Sequence, residues 1–135
     1  MKWLLIAIVL FLLGSLGDNL LTYKYIVLEH RFSEANPIAE SRIFVQPLWM
    51  WFVYDFVDLV ITLGLAFGYY RLMLWYSRKK PLWKRKKILK IASKYWIIVF
   101  VVAIIRVLPV IHNVLLLCFG IETPLPKPLY VLGCT

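Results

Sequence analysis

Asp18, Asp55, Asp58 and Arg106 each fall inside a long apolar run of this 135-residue chain. Charged groups in hydrocarbon are costly and turn toward other helices, a cavity or one another. One guanidinium cannot neutralise three carboxylates. With all four ionised the set carries two excess negative charges, which protonation, a bound cation or water must remove. Three chemistries follow from these residue types. The groups can tie helices together by polar bonds, offer oxygen ligands to a hard cation or a proton, or share a proton between two carboxylates and activate water.

Helical spacing groups these residues with further polar ones, because positions three, four and seven apart share a face. Ser15, Asp18 and Thr22 make one stripe, Asp55, Asp58 and Thr62 a second, and Arg106 and Asn113 a third. His112 lies off the third stripe and is expected as a lone side chain facing lipid or core. At a rise of about 1.5 Å per residue, the four charges reach overlapping depths in the middle and outer half of a bilayer. Pro109 has no amide hydrogen for the Ile105 carbonyl, leaving an acceptor open to water beside Arg106.

The elements that carry them are read from three apolar runs. The chain is 62% hydrophobic and 16% aromatic, too apolar for a water-soluble domain. The expected fold is all-α, a single membrane domain over residues 1–135 with spans at about 3–29, 47–76 and 95–119. Lys2, the stretch Trp3 to Leu13 and Ser15-Leu16-Gly17 look like a secretory signal. Apolar character resumes at Leu20, too long a run for such a signal, so an uncleaved first span is expected. Asn36-Pro37 is a helix start, the Asn capping and the Pro preset at the first turn, which predicts a short interfacial helix from about Pro37 to Val45. Trp49, Trp51 and Tyr54 at one end of the second span, and Tyr69, Tyr70, Trp75 and Tyr76 at the other, read as aromatic belts. Gly64 and Gly68 form a G-x-x-x-G pair there, and with Gly14 they are candidate close-packing positions for a neighbouring helix.

Nine of the 16 basic residues lie between Arg78 and Lys94, and every carboxylate side chain except Glu122 precedes residue 59. Loops rich in Lys and Arg stay in the cytoplasm. The basic loop 77–94 and the N-terminus are therefore expected inside, with loop 30–46 and the tail 120–135 outside, in the cell membrane. Leu82, Trp83, Ile88, Leu89, Ile91 and Ala92 among those cations suggest an amphipathic interfacial helix. Lys79, Lys80, Lys84, Arg85, Lys86 and Lys87 are the expected contacts to anionic lipid headgroups. The net charge of +9 is concentrated in this loop instead of spread over a polar surface, so nucleic acid is not an expected partner. Cys118 and Cys134 give neither a disulfide framework nor metal spacing. A single Gln beside abundant Ile, Val and Lys hints at a thermophilic source. There is no P-loop, G-x-S-x-G, H-E-x-x-H or C-x-x-C.

Asp18-x-x-x-Thr22, followed by Glu34-Ala35-Asn36-Pro37, resembles an uncharacterised family of small bacterial and archaeal proteins with three or four membrane helices and D-x-x-x-T and E-x-N-P motifs. The resemblance covers roughly residues 10 to 45. It implies the same architecture and singles out Asp18, Thr22, Glu34, Asn36 and Pro37 without giving them a role. Tyr54-Asp55 and Leu16-Gly17-Asp18 also resemble the Y-D and G-x-G-D pairs of intramembrane aspartyl hydrolases. Ser15 replaces the first glycine there, the motif order differs, and three spans fall short of those bundles.

The leading expectation is a structural or accessory membrane protein in a homo-oligomer or larger membrane complex, without catalytic residues or an organic cofactor. The alternative is a cation- or proton-binding or transport unit, the ion unidentified, in which Asp18, Asp55 and Asp58 supply oxygen ligands and Thr22, Glu34 or Asn36 complete the shell, with Arg106 and Asn113 in the same polar cluster. An aspartyl hydrolase is the remote third.

Overall fold

The computed structural model describes residues 2–29, 32–34, 45–119 and 129–131; of the two short strands, and of residues 117 and 118, only the backbone is described. Helix α1 spans Lys2–Thr22 and continues as a π-helical turn over Tyr23–Leu28. Strand β1 (Phe32–Glu34) follows, then helices α2 (Leu48–Arg78), α3 (Leu82–Ala92) and α4 (Trp96–Phe119), and strand β2 (Leu129–Val131). The architecture is helical, and three of its helical stretches are long and apolar enough to cross a membrane. They fall on the three apolar runs of the sequence. The interfacial helix expected from Pro37 lies outside the described residues except for Val45, which sits in a turn.

Each boundary has a local cause. Pro47 and Pro81 hold extended backbone just before α2 and α3, as suits a residue whose φ is fixed and which cannot donate a hydrogen bond. Three turn residues, Ser93 to Tyr95, separate α3 from α4. In the π turn the Glu29 amide donates to the Lys24 carbonyl at 3.0 Å, five residues back. Pro109 sits inside α4, which remains helical through it.

The order of contacts fixes how the helices run. Trp3 stacks on Trp96 with ring centroids 5.6 Å apart. Further along, Ala7 clusters with Val99, Phe11 with Ala103, and Gly14 and Gly17 abut Arg106 and Val110. Both numbers rise together, so α1 and α4 are parallel neighbours. Along α2 the partners descend: Ala66 packs with Ala7, Leu59 with Phe11, and Trp51 with Ile26. Helix α2 is thus antiparallel to the other two. It touches them sparsely, whereas α1 and α4 pack along their lengths.

Strands β1 and β2 pair antiparallel, Phe32 with Val131 and Glu34 with Leu129. The first connector and the tail therefore meet at one end of the bundle. At the opposite end α3 packs on α2. Its Ala92 is buried and Ile88 and Leu89 are half-buried, while Leu82, Trp83 and Ile91 are exposed beside the cations. The apolar residues of α3 are thus divided between the protein and the surroundings.

Candidate functional site

The close contact between α1 and α4 comes from two glycines. A Cβ on Gly14 would lie 3.0 Å from the backbone carbon and oxygen of Arg106, and one on Gly17 would lie 2.9 Å from Val110 Cγ1. Small residues let helix backbones approach this way. Arg106 is thereby held against α1 at its backbone, and its guanidinium lies 5.5 Å from the ring centroid of buried Phe11. From that anchorage the side chain reaches across to α2.

There it meets two of the three aspartates. Arg106 Nη1 lies 2.9 Å from Asp55 Oδ1, and Nη2 donates to Asp58 Oδ2. Asp55 and Asp58 are three residues apart on one helix, the spacing that aims both at one cation. The second oxygen of Asp55 accepts a 2.7 Å hydrogen bond from Asn19 Nδ2 on α1. One centre thus ties all three long helices: α1 through Asn19 and Phe11, α2 through the carboxylates, α4 through the guanidinium. Thr62 spends its hydroxyl on the Asp58 backbone carbonyl at 2.8 Å.

Asp18 is half-buried and close enough to Arg106 and Asp55 to feel both charges. It makes no hydrogen bond or ion pair with the described residues. Asp18 and Asp55 accordingly share no hydrogen bond here, and both Asp55 oxygens are occupied by other partners. Ser15 and Thr22, about one turn to either side of Asp18, are buried on the same helix; on α4, Asn113 is fully buried. The Ser15 hydroxyl, both polar atoms of the Asn113 amide and the Trp51 indole nitrogen have no hydrogen-bond partner among the described residues. Buried polar groups of this kind are normally satisfied by protein or water.

Solvent exposure separates the two arms of the centre. The side chain of Asp55 is 11% exposed, that of Arg106 30% and that of Asp58 53%. Yet Asp58 stands ten residues into α2 and Arg106 ten into α4, about 15 Å along each axis. The α2–α4 seam is open at mid-length, and an ion pair shows through it.

Other candidate residues are placed as follows. Glu34 contributes backbone to β1, and Asn36 lies outside the described residues. Gly64 and Gly68 have nothing within 4 Å among the described residues, so none of the described helices packs on them. His112 is buried in the core. Trp51 is buried edge-on to Tyr23, with ring centroids 6.2 Å apart, instead of lying in an outward belt. Three of the six basic candidates lie over rings: Lys79 over Trp75 at 3.7 Å, Lys80 over Tyr76 at 4.7 Å and Lys84 over Trp83 at 4.8 Å. No group of three His, Cys, Asp or Glu side chains suited to a metal ion occurs among the described residues. Sequence reasoning did not select Asn19, Phe11 or Gly17. A polar residue next to Asp18, and a glycine one turn beyond Gly14, were the available signals.

No family model, curated protein or solved structure matches this chain.

Proposed function

We propose that this chain is a multi-pass membrane protein serving as a structural or accessory subunit of an oligomer or a larger membrane complex. The observation that carries the reading is the Arg106–Asp58 pair, open at mid-length with the exposed apolar side chains of Val57, Ile61 and Ile105 on the same two helices. A carboxylate so far from either end of its span is too short to reach water, and hydrocarbon does not solvate it. A protein surface laid over the seam removes that exposure. The thin bundle and its lightly held second helix fit a chain finished by its neighbours.

In this reading the basic loop 77–94 and the N-terminus are cytoplasmic, and connector 30–46 and the C-terminus lie outside. The pairing of β1 with β2 supports placing connector and tail on a common side. Lys79, Lys80, Lys84, Arg85, Lys86 and Lys87 contact anionic headgroups, each cation contributing about 1 kcal/mol near the surface. Purification in mild detergent with absolute mass determination tests the proposal. An oligomer or a stoichiometric membrane partner is the expected result, and a clean monomer with neither would defeat it.

A second reading is favoured by Asp18. Half-buried, without a direct partner among the described residues, and one helical turn from Ser15, whose hydroxyl has none there either, it has the surroundings of a proton or cation acceptor. Thermal melting with and without added cations tests the cation form, and no shift at millimolar concentration would count against it.

A further inference from the structure

The subunit reading leaves open what covers the seam, and we infer that it is the same seam of a second copy of this chain. The inference rests on that reading and names the partner. The seam presents one cation and one anion at a common level, since Asp58 and Arg106 are bonded to each other across it. Two copies inserted in one membrane share their orientation, so a two-fold axis along the membrane normal sets each Asp58 at the height of the other copy's Arg106. The arrangement is neutral and self-complementary. A guanidinium carries five N–H donors in a planar fork, and a carboxylate can accept at both oxygens. Arg106 therefore bonds its own Asp55 and Asp58 and still has donors for the facing Asp58.

The surface around the pair suits such closure. Tyr54, Ile61 and Leu65 lie one or two turns from Asp58 on the same outward flank of α2, and Ile105 adjoins Arg106 on α4; all four are exposed. They form an apolar rim around a charged centre, which a facing copy would seal from lipid. An unrelated partner would have to bring both a donor and an acceptor to this depth. The seam itself already carries both.

Disulfide crosslinking in native membranes tests the geometry. In a full-length background with Cys118 and Cys134 replaced by Ser, Ile61→Cys and Leu65→Cys should each yield a dimer band under mild oxidation. Phe56→Cys, exposed on the opposite flank of α2, should yield at least fivefold less. Asp58→Asn should weaken dimerisation at least tenfold by mass measurement in lipid nanodiscs, with helix content checked by circular dichroism. The crosslinks in the unaltered charge background hold the test together if that variant fails to fold. A monomer that co-purifies with a different membrane protein overturns the second copy while preserving the subunit reading. A monomer with no partner overturns both. Dimers that crosslink through Gly64→Cys or Phe56→Cys but not Ile61→Cys would also refute it, because the contact would then lie on another face.

Discussion

Replacing Arg106 by Met removes the one cation from a centre that holds two carboxylates, and the cost can be worked from their surroundings. Asp55 has little exposure and is bonded to the guanidinium at 2.9 Å. Stripping one partner from a buried ion pair costs about 3–5 kcal/mol, because the remaining charge is left uncompensated. Asp58 is more than half exposed, so its bond is discounted to about 1 kcal/mol or less. The Phe11 contact adds about 0.5–1 kcal/mol. Arg106→Met is therefore expected to destabilise the fold by about 4–6 kcal/mol, dominated by the Asp55 arm. Reversible unfolding by sodium dodecyl sulfate in mixed micelles, followed by far-ultraviolet circular dichroism, measures it directly. The triple variant Arg106→Met, Asp55→Asn, Asp58→Asn removes cation and acids together, and an Asn at 55 retains an oxygen for the Asn19 amide. It should recover more than half of the loss. A single-variant cost below about 1 kcal/mol, or a triple variant no more stable than the single, would refute the premise that stranded charge sets the penalty.

Gly14→Ala is expected to cost about 1–3 kcal/mol in the same titration, since its Cβ would press on the Arg106 backbone at 3.0 Å. Gly64→Ala and Gly68→Ala, with open space beside them, should not destabilise the isolated chain, and a loss comparable to that of Gly14→Ala would contradict the packing described. Asn19→Leu should cost about 1 kcal/mol through the lost bond to Asp55, and that loss should shrink in an Asp55→Leu background; equal costs in both would show that the bond is not the cause. Single cysteines at Lys84 or Lys87 should react with a membrane-impermeant maleimide only after the cells are opened. Labelling of intact cells there would reverse the orientation.

The polar centre was legible wherever it obeys helical periodicity. Asp55 and Asp58 are one turn apart, and the depth argument brings Arg106 to them, because a charge in an apolar run has few destinations. The reading stopped where neighbours across helices decide the outcome. Asn19 points to Asp55, a contact set by how α1 is rotated against α2, and nothing in the spacing of one helix records that rotation. The G-x-x-x-G pair is the more evident glycine motif, yet Gly14 and Gly17 make the close approach inside the chain. Glycine spacing marks a surface able to receive a helix without specifying which helix arrives. Trp51 looked like a belt residue from its position near a span end, but the π turn carries Tyr23 and Ile26 against it and it becomes core. The roles expected for Glu34 and Asn36 lie outside the described side chains.

The parallel pairing of α1 with α4 has a consequence for biogenesis. Of the two helices that separate them in the chain, α2 carries both acids, and their counter-charge comes 48 residues after Asp58 (106 − 58). At about 5–20 residues per second, synthesis leaves α2 waiting roughly 2–10 s for Arg106 to emerge. For a chain inserted as it is made, that interval is passed with two carboxylates unmatched, so α2 depends on protonation or on the insertion machinery until the last helix arrives. Late truncations that stop short of Arg106 should consequently strand an acidic hairpin and mark it for degradation.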